Sequence, residues 1–237
     1  MNDYLEITTE IPLEWKDTFT DTALSYLKSA HEKAYFSVLD MNAYYYVKAA
    51  SSESYSAWNR QLFSEGTISG FPVTGVQVDM YNGSLPADLL LSKINLNFFN
   101  TIHGFFDTYG HFLHVALFPG SNVPKNLYLS TVKQKIDGYP TMSSISDALR
   151  KLTSQYIYSY INDLDNTNKH RDHISPILTT WLDNGEQTIE VPPFDKDGRE
   201  HYDYYMEDAF EESCKLVIDC FNDVTAEVLT YLNRSRS

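Results

Sequence analysis

The chain has 237 residues, 43% apolar and 14% aromatic, which is enough for a sizeable core and excludes a disordered protein. Its 18 basic residues against 32 acidic ones leave a formal charge of -14, which opposes non-specific attraction to nucleic acid or anionic membrane. Tyr (18) and Phe (13) are frequent while Gly (10) and Pro (9) are sparse, so long helices are favoured over a many-turned sandwich or barrel.

In chain order, Pro12 follows the Thr8-Thr9-Glu10 cluster as a helix start, and Trp15, Phe19, Ala23, Tyr26, Ala30, Ala34, Val38, Met41 and Tyr45 recur at helical spacing. Ser51 to Ser54 is a point of interruption, with Trp58 and Phe63 continuing after a kink. Gly66, Gly70, Pro72, Gly75 and Gly83 mark a connection, within which Val76, Val78 and Met80 alternate as in a short strand. Pro86 opens a second apolar helix that runs to about Phe118 and is closed by Pro119-Gly120. A shorter helix is expected from Lys125 to Lys135, and Met142, Ile145, Ala148, Leu149, Leu152, Tyr156, Tyr160 and Leu164 mark a further one. Pro176, Gly185, Pro192, Pro193 and Gly198 define a second insertion, where Thr188 to Val191 is expected to pair with the first short strand. A last helix from Tyr202 to Asn233 shows Phe210, Cys214, Val217, Phe221, Val224 and Val228 on one face. The expected fold is all-α. Residues 1–237 form a single domain, an antiparallel bundle of long helices with two irregular insertions that hold a short hairpin or paired strands.

Cys214 and Cys220 are the two cysteines; they imply no disulfide framework, and Cys214 reads as a small buried hydrophobe. The amino-terminal residues lack a basic flank followed by an apolar run, and no segment reaches eighteen unbroken apolar residues, so a cytoplasmic location and no membrane contact are expected. Charge is uneven: Ser121 to Arg171 has seven Lys or Arg against four Asp or Glu, and Asp195 to Ser237 has five against eleven. Any RNA contact is therefore local, while ordinary scatter of surface charge explains the same numbers.

Two stretches carry candidate chemistry. On the second long helix His103, Asp107, His111 and His114 fall within an arc of about 80°, a polar stripe that could supply metal ligands. His103 and His111 are about 12 Å apart along the axis, so one ion cannot bind both, and each neighbouring pair needs ligands from another helix, with His31 or Glu32 as nominees. The same stripe is explained by a solvated face or by hydrogen-bonded interior pairs. The second stretch is Asp165-Asn166-Thr167-Asn168-Lys169-His170-Arg171 at a helix end, followed by His173. A histidine that moves a proton beside a cation that stabilises a developing anion is what metal-free RNA cleavage needs. Helix termination also explains it, since Asn and Asp cap while Lys, His and Arg complement the negative carboxyl end. No phosphate-binding glycine loop, zinc pattern, Cys-x-x-Cys pair or nucleophile elbow occurs, and no cofactor is expected.

The run from Asp165 to Arg171, closing a helix, resembles the motif of HEPN-domain proteins, which reads Arg-Asn, a few residues, then Lys-His. Phe105-Phe106-Asp107-Thr108 is similar to the Phe-Phe-Asp helix of some uncharacterised members. The resemblance implies a helical, dimeric protein. Many members are metal-independent ribonucleases of toxin or antiviral systems, with an arginine and a histidine from each protomer facing across the dimer; others are non-catalytic. By that motif His170 takes the histidine position and Asn166 the polar position after the arginine. Position 165 is Asp, however, and no arginine lies four to six residues before His170. The expectation is a HEPN-like protein without ribonuclease activity that acts through homodimerisation and a protein partner. The alternatives are a metal-independent ribonuclease using His170 with Arg171, and a metal-dependent enzyme using the His103 face.

Overall fold

The computed structural model describes residues 12–65, 76–80, 83–171, 173–180 and 186–236. The chain is predominantly helical, with short antiparallel strands. A brief α1 (Leu13–Lys16) precedes α2 (Asp21–Glu65), and the hairpin β1 (Gln77–Met80) and β2 (Gly83–Pro86) leads into α3 (Ala87–Leu117). Next come α4 (Leu129–Asp137), a 3-10 turn at Pro140–Met142, α5 (Ser143–Thr153) and α6 (Tyr156–His170). Strands β3 (Ile177–Thr180), β4 (Gln187–Val191), β5 (Phe194–Lys196), β6 (Arg199–His201) and β7 (Tyr204–Tyr205) follow. The chain then forms α7 (Met206–Asp219), a π-helical turn at Cys220–Val224 and α8 (Thr225–Arg236). No helix among the described residues is long and apolar enough to cross a membrane.

Several boundaries differ from the sequence expectation for local reasons. The first long helix begins at Asp21, not Pro12, because Thr20 Oγ1 accepts the Ala23 N–H at 3.3 Å, an N-cap that restarts the helix. Ser51 to Ser54 does not interrupt it: serine costs a helix only about 0.5 kcal/mol, and Ser51 and Tyr55 turn inward and are buried. The stretch read as one helix from Met142 to Leu164 is two. Thr153 Oγ1 bonds back to the Leu149 carbonyl at 2.8 Å and Ser154 Oγ to the Lys151 carbonyl at 3.1 Å, and the helix ends there. The fourth helix starts at Leu129 instead of Lys125. Tyr204 and Tyr205 belong to a strand, and the last helix begins at Met206 and carries a π turn that adds a residue and rotates its apolar face. The expected pairing of the two insertions does not form. Instead β1 pairs with β2 and β4 lies between β3 and β7, because strands close in sequence find each other at the lowest loop cost. The breakers Gly66, Gly70, Pro72, Gly75 and Gly185 lie outside the described residues.

The chain divides into two compact units. One comprises the described residues up to Val38, then Phe99–Asp165, and those from Glu211 onward. Its core is aromatic: Phe99, Phe105, Phe106, Tyr109 and Phe112 recur at helical spacing on α3 and are all buried. Phe112 meets Phe19 edge-on at 5.0 Å, Phe99 meets Tyr160 at 5.7 Å and Phe106 meets Tyr158 at 5.1 Å, geometries each worth about 0.5–1.5 kcal/mol beyond burial. The one polar atom of Tyr109 is satisfied by Thr225 Oγ1 at 2.8 Å. Gly110 lets α3 approach the start of α4, since a Cβ there would stand 3.1 Å from Leu129 N and Cα.

The other unit comprises Leu39–Phe98 and Asn166–Phe210. Phe98 and Phe210 stack at 3.8 Å, with Tyr44 against Phe210 at 5.5 Å, so α2, α3 and α7 meet on three rings. In β4 Gln187, Ile189 and Val191 are buried in alternation, which sets the register Thr180↔Gln187 and Ile177↔Glu190. The hairpin β5–β6 turns on Asp197 (φ 55) and Gly198 (φ 84), the left-handed pair that a two-residue hairpin turn requires.

Candidate functional site

The polar run that closes α6 divides in its surroundings. Asp165 lies in the first unit and is 1% exposed, its carboxylate Oδ2 3.3 Å from His103 Nδ1 on α3. His103 Nδ1 also stands 3.6 Å from Asp107 Oδ2, one turn further along the same helix. An imidazole thus faces two carboxylates, one interior and one near the surface. The acid that stands in the arginine position of the motif is thus turned inward.

Asn166 to Arg171 lie in the second unit. Asn166 is half-buried and Thr167 is buried. Asn168 Oδ1 accepts the Ile174 N–H at 2.8 Å and so secures the chain leaving the helix. His170 and Arg171 are exposed. Arg171 Nη2 donates to Asp197 Oδ1 at the tip of the β5–β6 hairpin, and Lys196 Nζ donates to the other oxygen of that carboxylate. Asp197 is held below the usual carboxylate range by the hydrogen bonds from Lys196 and then Arg171. The Asp197–Gly198 turn is legible in the sequence as a hairpin signal, but its role as partner to Arg171 is not.

The four residues of the polar stripe on α3 enter separate environments. His103 takes the aspartates, His111 stacks on Tyr26 at 5.2 Å, and His114 is buried with Nε2 3.1 Å from Ser121 Oγ. Burial first, then the charge of Lys135, lowers the pKa of His114 below its ordinary value, so it favours the neutral form. Of the nominated partners, His31 packs on Phe221 at 5.3 Å and Glu32 is exposed. Among the described residues no three His, Cys, Asp or Glu side chains are grouped to hold a metal ion. Cys214 and Cys220 are buried free thiols; burial pushes Cys214 up to about 12 and Cys220 well above its ordinary range.

Comparison with family models, with curated proteins and with solved structures finds no match to this chain.

Proposed function

We propose that the chain is a HEPN-like helical bundle protein that acts through homodimerisation and binding of a protein partner and does not cleave RNA. One observation carries the reading. The residue at the arginine position of the motif, Asp165, is buried against His103 and offers no cation to a phosphate. Arg171, the substitute cation, is engaged by Asp197, so a phosphate would have to displace a carboxylate of like charge. The net charge of -14 works against RNA as well.

Support for a partner comes from the part of α2 in the second unit, on which Leu39 and Tyr46 are 46% and 53% exposed. Seven residues apart, they lie on one side of that helix, as large apolar side chains of an association surface do. The setting that fits is a cytoplasmic toxin–antitoxin or antiviral system, as in the family the motif resembles.

Light scattering coupled to size exclusion tests the dimer, and labelled RNA incubated under chelation beside a His170→Ala control tests the chemistry. The expected result is a dimer at micromolar concentration with no His170-dependent cleavage. A monomer would remove the dimerisation reading. Cleavage lost on His170→Ala would replace it with the metal-independent ribonuclease.

A further inference from the structure

A second polar cluster lies wholly within the unit formed by Leu39–Phe98 and Asn166–Phe210. Ser92 and Asn95 stand three residues apart on one face of α3, where the chain beyond α6 crosses them at His173 to Ser175. Ser92 Oγ is 2.7 Å from His173 Nε2 and 3.0 Å from Ser175 Oγ. Several helical hydroxyls elsewhere in this chain do something different. Ser37, Thr108, Thr153 and Ser159 each donate to a carbonyl three or four residues back. Ser92 turns from its helix to an imidazole.

The surroundings hold unspent polar capacity. Asn95 is fully buried; its Nδ2 reaches the Ile174 carbonyl at 3.5 Å, while its Oδ1 has no hydrogen-bond partner. Asn168 accepts from Ile174 through Oδ1, while its buried Nδ2 has no partner. Two amides clasp the Ile174 peptide, and each keeps one unsatisfied atom. Buried unsatisfied polar atoms are few in native proteins and each calls for an explanation, a catalytic or ligand-binding role among them.

We propose that Ser92 is a nucleophile that accepts an acyl group, with His173 as its base, and that the substrate is a small activated acyl ester. The activity goes beyond the dimerisation reading and does not depend on it. Ser92 gives its hydroxyl proton to Nε2 of neutral His173 as Oγ bonds to the ester carbonyl carbon. Collapse of the tetrahedral adduct breaks the ester C–O bond, and His173 passes the proton to the departing oxygen, leaving Ser92 acylated and the imidazole neutral. A water that loses its proton to the same Nε2 then attacks the acyl-serine and releases the carboxylic acid and the free hydroxyl. Ser175 is a positioning residue: by donating to Ser92 Oγ it directs the lone pair. The spare Nδ2 of Asn168, an amide donor on the same segment, is the kind of group that stabilises an oxyanion. Ser92 is 9% exposed, which restricts the acyl group to small ones such as acetyl, whereas His173 is exposed and open to the leaving group.

The test treats the native protein with p-nitrophenyl acetate, and separately with methanesulfonyl fluoride, whose small sulfonyl group fits the restricted entrance and is not turned over, and maps adducts by peptide mass spectrometry. Expected is an adduct at Ser92 that is absent in Ser92→Ala. In His173→Gln, whose amide still hydrogen-bonds the hydroxyl but cannot take its proton, the rate of adduct formation should fall about 100-fold. Labelling of Ser92 in the urea-unfolded wild type should fall to the level of other serines. The proposal is overturned if native protein gives no Ser92 adduct, if folded His173→Gln labels as fast as wild type, or if unfolding leaves the Ser92 rate unchanged.

Discussion

Asp165→Arg writes into the chain the arginine that HEPN-type ribonucleases carry before their histidine, and the structure predicts that it damages the fold without creating a nuclease. The side chain is 1% exposed and its carboxylate stands 3.3 Å from His103. Placing an uncompensated guanidinium in this buried site costs about 3–5 kcal/mol, and forcing a longer side chain into a filled interior adds roughly 1–3 kcal/mol. That sum, about 4–8 kcal/mol, compares with a total stability of about 5–15 kcal/mol for a typical protein. Asp165→Arg is therefore expected to be unfolded or close to it. Asp165→Asn, which keeps the shape and loses the charge, should cost only about 1–3 kcal/mol. Urea unfolding followed by circular dichroism separates the cases: with a slope of about 2–3 kcal/mol per molar, Asp165→Asn moves the midpoint down by roughly 0.3–1.5 M. An Asp165→Arg protein with the wild-type midpoint would refute the buried pair. A folded Asp165→Arg protein that gained His170-dependent RNA cleavage would refute the claim that this position faces inward.

Other consequences are as specific. Because burial raises both thiols, Cys214 and Cys220 should resist a disulfide-exchange reagent in native protein at mildly alkaline pH and both react in denaturant; prompt reaction of either in the native state contradicts their burial. Burial also raises Asp40 from 3.8 to about 6, with Lys93 opposing. The folded value lies above the unfolded one, so ionised Asp40 costs stability, a cost that is absent below the unfolded value and grows as pH rises through about 6. Asp40→Asn should then stabilise at neutral pH by about 1 kcal/mol, after discounting for its partial exposure, and lose that advantage as pH falls towards 4; a gain in Tm that is the same at both pH values refutes the assignment. Gly110→Ala and Gly104→Ala should part company in thermal melts. An added Cβ meets the Leu129 backbone at 3.1 Å in the first case, where overpacking of roughly 1–3 kcal/mol exceeds the helix-propensity gain of about 1 kcal/mol. In the second it meets Lys33 Nζ at 3.1 Å, the end of a flexible side chain that donates to the Gly104 carbonyl at 3.0 Å and can shift without moving backbone, so Gly104→Ala should melt higher than Gly110→Ala. Equal melting temperatures would show that Leu129 yields.

Long elements were legible because their signal is repeated. The apolar stripe from Ala87 to Leu117 spans eight turns of helix, so no single residue decides it, and Pro86 marks its start within one residue. Short elements were not. The breaks at Thr20 and at Thr153–Ser154 coincide with one or two side-chain hydrogen bonds, but the same back-bonds from Ser37, Thr108 and Ser159, and the same residue types at Ser51 to Ser54, occur inside unbroken helix. Nothing in local composition distinguishes these cases, because burial of Ser51 and Tyr55 is a property of what surrounds them.

For the polar run at the end of α6, the sequence by itself determined the inventory: an imidazole, an adjacent guanidinium, capping amides and an acid in place of the expected arginine. It also determined that the chain would be predominantly helical and acidic, since apolar periodicity and net charge are sums over many residues. Only the tertiary structure decided which groups face which. His103 is sixty-two positions from Asp165, Asp197 twenty-six from Arg171 and Ser92 eighty-one from His173, and each pair meets within hydrogen-bond or ion-pair reach. Such contacts are set by helix rotation and hairpin register, where one residue of slip turns a side chain by about 100° on a helix or to the opposite face on a strand. Pattern identifies the element, and only packing fixes the phase at which its polar atoms emerge.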